Sequence, residues 1–422
     1  MTTALSPAPT TDPVPDVDPA AAPGVGGPSL AAARPDPADA EPRRALRELA
    51  RWQLDGRAAE RFPYAAVLGH YRAVGKNAVG EELLTALRAV EPAGAGTADP
   101  AARLLVDWLP QVVDGQQGDY DSYLGSPVYA SLTAAGVSAE QLITALLADV
   151  VATEAATLAD SPAGLPRTRA ALRALAASAG PLTGQPAGWA ALADRAAGEP
   201  EDLPRACAEA VAAARDAVPA EVLRAVELTL TPTTRSHDEQ MFIRVIQIFE
   251  AVFGAVARAV AEATGEVAAG RTEAARALLA DAARQVAGTS GVFRVLTTMP
   301  KDAFAVIRAN TDGRSAVQSR AYRVVERSCP ALHLTLVESG LPQDGLRPVM
   351  AELDDAWGAM KRTHWGITMK IIGMVRGTGG TSGASYLREA AEARLFPALD
   401  RAPKTDPQTD EAADEQADRR AG

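Results

Sequence analysis

Alanine-rich stretches with apolar residues at three- and four-residue spacing run through most of this chain, and a sustained Val, Ile, Thr and aromatic alternation is missing. Alanine is the strongest helix former, and a strand needs a period of two, so the pattern predicts an all-α protein. A length of 422 residues with 47% apolar content is enough for a substantial core and for roughly two domains of ordinary size. A net charge of -11 excludes nucleic acid as the main partner, because neutralising phosphate takes a basic surface. No uninterrupted apolar run is long enough to span a bilayer, so no membrane partner is expected. The N-terminus lacks the basic start and apolar stretch of a signal peptide. Cys207 and Cys329 have no CxxC spacing, which fits neither a disulfide framework nor a zinc site, and a cytoplasmic location is expected.

Composition divides the chain. Residues 1–43 are rich in Pro, Ala, Asp and Gly and are expected to be disordered, as is the acidic tail 403–422. Residues 44–133 read as a helical extension, with RRALRELARWQL and GEELLTALRAV as helices and the short segment YDSYL (120–124) near its end. Residues 134–229 read as an Ala-rich helical insertion broken at SPAGLP, GPLTGQPAG and GEPEDLP. Residues 230–402 hold the longest helical patterns and nearly every unusual residue, so the chemistry is sought there.

Three helices carry the candidates. The first opens on Ser236-His237-Asp238-Glu239, which reads as a Ser-x-x-Glu capping box, and places Phe242, Ile246, Phe249 and Phe253 at helical spacing. That stripe suits a core as well as a ligand wall. The second runs from near Pro300 through MPKDAFAVIRANTDGRSAVQSRAYRVVE, with Phe304 and Arg308 one turn apart on one face. A guanidinium there can grip a carboxylate through two parallel hydrogen bonds, or serve an ordinary surface ion pair. The third carries His364, Thr368, Ile371 and Val375 on one face and then the loop GTGGTSG (377–383). One imidazole beside apolar surface suits either the proximal side of a haem or a packed core histidine. The loop is no phosphate cradle, because it lacks both the GK[ST] ending and a preceding strand.

Taken together, YDSYL, HDEQMFI (237–243), FAVIR (304–308), VQSRAYR (317–323), His364 with RGTGGTSGASYL, and LFPAL (395–399) resemble the tryptophan 2,3-dioxygenase superfamily, in the family's order. The resemblance implies a helical homotetramer with b-type haem in each subunit. It makes His364 the iron ligand, a neutral imidazole. It sets Phe293 near the haem, where the family usually has tryptophan, with Gly377 and Gly379 of the loop beside the cofactor. Phe242 and Phe304 line the substrate pocket, Arg308 holds the substrate carboxylate, and Thr378 meets its ammonium. Tyr120, Tyr123 and Leu124 match residues that complete a neighbouring subunit's site.

One departure stands out. The family's dioxygenases have a distal histidine one turn after the residue matching Phe242, and here that position is Ile246. His237 cannot replace it, lying over two turns earlier. Arg244 also stands where the family is apolar. The resemblance thus implies a haem-dependent, O2-using enzyme acting on L-tryptophan or a related aromatic amino acid, with N-formylkynurenine the product from tryptophan. Ile246 and the large insertion favour an alternative, a specialised mono-oxygenase of natural-product biosynthesis. A haem-free helical scaffold is the third reading.

Overall fold

The computed structural model describes residues 41–93, 96, 99–113, 120–158, 164–311, 319–371, 373, 384–397 and 399. Among these, every regular element is an α-helix or a short 3-10 turn, in agreement with the all-α expectation. The N-terminal tail to residue 40, the C-terminal tail from 403, and Gly377, Thr378 and Gly379 lie outside the described residues.

The centre of the molecule is built from four long helices: α12 (His237–Ala268), α13 (Thr272–Leu296), α15 (Arg320–Glu338) and α16 (Arg347–Ile371). Helix α12 packs against α13 and α15, and α13 also packs against α16. Their shared surface buries Val252, Val256, Val260, Val286, Leu332 and Leu353. An aromatic knot locks α12, α15 and α16 together. Trp357 of α16 stacks on Tyr322 of α15 with ring centroids 5.2 Å apart, and Phe253 of α12 meets both edge-on at 5.4 Å. Such pairs add about 0.5–1.5 kcal/mol each beyond the area they bury.

The Ala-rich stretch belongs to this same core. Helices α7 (Ala139–Thr157) and α8 (Leu165–Thr183) pack on α12 and α13, and α9 (Pro186–Ala197) and α10 (Leu203–Asp216) close over them. Alanine on facing helices lets backbones approach closely, so Ala171, Ala174, Ala206 and Ala210 are buried in one continuous core with Phe249 and Val286. Helices α1 (Arg43–Leu54), α2 (Tyr64–Val74), α3 (Glu81–Arg88) and α4 (Pro100–Val113) gather around a second core of Trp52, Phe62, Tyr64 and Trp108. Helix α11 (Ala220–Leu228) caps that core, and its Leu228 carbonyl accepts from the Trp108 indole at 2.9 Å.

Two local readings are corrected. Helix α12 does begin at His237, but Ser236 makes no side-chain capping bond. The Glu239 carboxylate is taken instead by the preceding loop. It accepts from Thr233 N at 2.8 Å and Thr233 Oγ1 at 2.6 Å, and from Thr234 N at 2.7 Å and Thr234 Oγ1 at 2.5 Å. Four donors outcompete the one a capping box offers. The loop is held close by Gly75, whose φ is +84° and whose missing Cβ would stand 2.6 Å from the Thr233 carbonyl oxygen. Glu239→Gln replaces two acceptor sites by an amide N–H facing donors, and should cost about 2 kcal/mol in chemical denaturation.

The long helix expected from Pro300 is two helices. Helix α14 (Lys301–Asn310) stops at Asn310-Thr-Asp-Gly, a sequence of turn formers, and α15 starts afresh with the Ser319 side chain accepting from Tyr322 N at 3.0 Å. The His364 helix likewise ends at Ile371, and Val375 lies outside the described residues. Gly373 adopts φ +76° and donates its N–H to the Thr368 carbonyl at 3.2 Å, a left-handed glycine stop.

Candidate functional site

Helix α12 presents successive turns of one face to the other candidate-bearing elements. At its first exposed turn Phe242 meets Phe304 of α14 edge-on, with centroids 5.7 Å apart and planes at 77°. Both residues are half-buried. Arg308 follows Phe304 by one turn of α14 and is half-buried. Phe304 thus ties α14 to α12, and Arg308 lies one turn further along α14.

Further along, Phe249 packs on Phe293 of α13 at 4.7 Å, and Phe293 in turn stacks on His364 of α16 at 6.4 Å with planes at 28°. Desolvation pushes the His364 imidazole below its ordinary range, which favours the neutral ring. Among the described residues that ring makes no hydrogen bond; only the His364 backbone carbonyl is engaged, by Thr368 Oγ1 at 3.0 Å. A neutral imidazole with uncommitted nitrogens, backed by aromatic rings, has the donor chemistry that a haem iron requires of a protein. Among the described residues no three His, Cys, Asp or Glu side chains group together as metal ligands. A metal held at His364 would therefore need further ligands of another origin, such as a porphyrin supplies. The residues present fit that group.

The YDSYL segment forms α5 (Tyr120–Leu124) and lies along α12 of its own chain. Tyr123, Leu124, Ile243 and Ile246 are buried together with Leu230, and Tyr120 and Phe242 pack against them. Polar bonds fix this docking. Gln247 Nε2 donates to the Leu124 carbonyl at 2.8 Å, and the Tyr123 hydroxyl donates to Glu239 Oε1 at 3.1 Å. The Tyr120 hydroxyl donates to Glu250 Oε1 at 2.6 Å, while Ser319 Oγ donates to Glu250 Oε2 at 3.0 Å.

Two anomalies of the sequence find their place. Ile246 is buried in an all-apolar cluster, so no imidazole stands at that turn of α12. Arg244 points the other way, its guanidinium held by Asp149 Oδ2 at 2.7 Å, Gln247 Oε1 at 2.9 Å and the Val226 carbonyl at 2.7 Å. Sequence reasoning overlooked Glu250. Its spacing of one turn after Ile246 and two after Phe242 was legible, but its partners lie on α5 and at the start of α15.

No family model matches the chain. Over 50 residues it is 44% identical to the tryptophan 2,3-dioxygenase of Bordetella pertussis, covering 12% of this chain and 18% of that protein. It is 34% identical over 90 residues to the tryptophan 2,3-dioxygenase of Ruegeria pomeroyi, covering 21% and 30%. It is also 35% identical over 80 residues to that of Bradyrhizobium diazoefficiens, covering 19% and 26%. The matched stretches span less than a third of the length of these curated relatives.

Proposed function

We propose that this protein is a haem-dependent, oxygen-using enzyme of the tryptophan 2,3-dioxygenase superfamily, acting on L-tryptophan or a related aromatic amino acid. The observation that carries the reading is the convergence of the Phe242–Phe304 pair and the Phe293–His364 stack on one helix, α12, in a chain with partial similarity to tryptophan 2,3-dioxygenases. Haem, when bound, supplies the oxygen chemistry. His364 would hold it, and the resemblance assigns Phe293, Gly377 and Gly379 to the same cofactor. Phe242 and Phe304 clasp a flat substrate ring and exclude water from it. Arg308 fixes the substrate carboxylate and Thr378 its ammonium, so that the ring is presented in one orientation. A homotetrameric, cytoplasmic protein fits this reading; among the described residues no helix is long and apolar enough to cross a membrane.

Arg308→Ala should raise KM for an aromatic amino acid about tenfold to a hundredfold, the equivalent of a charged hydrogen bond worth about 1.5–3 kcal/mol. The same variant should leave KM for the decarboxylated amine nearly unchanged. Equal losses for both ligands would remove Arg308 from the site.

Ile246 favours a second reading, a mono-oxygenase of specialised metabolism. An apolar residue in the turn beside the ring removes a hydrogen-bonding partner and leaves the outcome of oxidation to other groups. Mass spectrometry of product made under 18O2 separates the two: a dioxygenase incorporates both labelled atoms and a mono-oxygenase one.

A further inference from the structure

Helix α4 is apolar on two faces. Leu105, Trp108 and Val112 are buried in the second core, whereas Val106, Leu109, Pro110 and Val113 share another face, at i, i+3, i+4 and i+7, that is only partly covered. Val106 is 44% exposed. A helix apolar on both sides calls for cover on both. Together with Val90 and Pro92, which follow α3, the open face lines a groove of about 540 Å³. The charged residues lining it are Arg57 and Glu91.

Backbone strain marks the same place. Arg57 has φ +59°, and among the described residues it alone, glycines aside, has a positive φ. That left-handed conformation costs a residue with a Cβ and persists only where the surroundings enforce it. The Arg57 backbone is pinned on both sides: its N–H donates to the Trp52 carbonyl at 3.2 Å, and its own carbonyl accepts from Ala93 N at 3.0 Å. Glycine would take this turn freely, so the arginine costs stability and supplies a charge to the groove. Its ion pair with Glu91 is long, at 4.0 Å, and both side chains are exposed.

The chain itself indicates an occupant. Forty residues precede Glu41 and lie outside the described residues. They carry five Asp and one Arg, whereas α1, where they join the fold, exposes Arg43, Arg47 and Arg51 at four-residue spacing. Within them, Pro13-Val14-Pro15-Asp16-Val17-Asp18-Pro19 combines apolar and acidic groups. Proline fixes its own φ and restrains the residue before it, so this sequence favours polyproline II. At three residues per turn, Val14 and Val17 share one side of such a helix, about 9 Å apart. Val106 and Val113 are about 10.5 Å apart along α4. The connection is long enough. A coil of 23 residues, the length from Ala20 to Pro42, spans about 24–29 Å on average. Helix α1, which separates that junction from the turn at Arg57, is about 18 Å long.

We propose that residues 13–19 dock in this groove of their own chain, with Val14 and Val17 on the Val106–Val113 face and Asp16 or Asp18 paired with Arg57. The groove is then a binding site for a short acidic, proline-rich segment. Tethering raises the local concentration of that segment to the millimolar range, so a weak contact suffices to fill the site. The inference is independent of the proposed function.

A dipolar distance measurement between spin labels at Thr11→Cys and Glu60→Cys in the full chain tests it. The native Cys207 and Cys329 are buried, which directs the labels to the introduced thiols. The otherwise unaltered chain should give a narrow distance peak. Val14→Asp with Val17→Asp should replace the peak by a broad distribution, as should Val106→Asp in the groove. Arg57→Gly should weaken the narrow component about twofold or more, as loss of an exposed ion pair implies. The same variant should melt no lower than the parent chain, because glycine takes that φ freely, so the loss is one of docking and not of fold. A broad distribution in the parent chain, or a narrow peak that survives any of these changes, overturns the proposal. Excess unlabelled chain should leave the peak in place; a peak lost on such dilution would seat the segment on a second copy and overturn docking in cis. Should Val106→Asp fail to fold, the Val14→Asp, Val17→Asp chain decides alone.

Discussion

His364→Ala should leave the protein unable to retain haem. The wild-type chain, saturated with haem and passed through gel filtration, should carry a Soret band, and the variant should elute without one. Removing a group that only orients a metal ligand costs about 10–100-fold in affinity, so losing the ligand itself should exceed about 100-fold. The fold is expected to survive, because the His364 ring makes no hydrogen bond among the described residues and is only half-buried. Its helix is anchored elsewhere, by Trp357 in the aromatic knot and by Asp354, which accepts from Leu395 N at 2.7 Å and Arg394 Nε at 2.6 Å. A variant that kept haem with an unchanged spectrum would remove His364 from the iron.

The second large effect lies away from the candidate site. Arg167 of α8 is buried, and its guanidinium is shared among Glu154 of α7 at 3.4 Å, Thr298 Oγ1 after α13 at 3.0 Å, and Asp238 in the first turn of α12. His237 Nε2 stands 3.0 Å from the same Glu154 oxygen. Arg167→Ala would leave a fully buried carboxylate without its cation, a change that costs about 3–5 kcal/mol. Urea unfolding followed by circular dichroism should show a lowered midpoint that, multiplied by an unchanged slope, gives a loss of that size. A shift below about 1 kcal/mol would mean that the cluster is solvated, and that α7 and α8 are less firmly tied to α12 than their packing implies. The loss should reach haem retention too, since α12 carries the Phe249 ring that backs Phe293 and His364.

What the sequence made legible was largely local. The all-α class follows from period and composition, and helix α1 spans the stretch RRALRELARWQL that the pattern marked out. The beginning of α12 at His237 was also readable, although the reason for it was not. A capping box is a pattern of two residues, whereas the fate of Glu239 depends on a loop seated against Gly75, far away in the chain. Turn formers at Asn310-Thr-Asp-Gly were in plain view, yet the helical period on both sides masked the break between α14 and α15.

The candidate site was legible only through resemblance. Spacing can place Phe242 and Ile246 on one face, but the edge-on contact of Phe242 with Phe304 joins two helices by tertiary packing. The same holds for Phe293 and His364. Glu250 shows the limit most clearly. Its period matched the stripe, but a carboxylate on an apolar stripe acquires meaning only when Tyr120 arrives from 130 residues away to bond it. The Ala-rich stretch stood apart by its composition, while packing depends on shape: small side chains let α7 and α8 merge with the core of α12 and α13.

Resonance Raman spectroscopy of the reduced, haem-loaded protein, produced with and without 15N-labelled histidine, tests the iron–imidazole bond most directly. The expected result is an iron–histidine stretching band that shifts to lower frequency on labelling and is absent from His364→Ala. A haem spectrum whose iron-ligand bands ignore the label, or a labelled band that persists in His364→Ala, would contradict it.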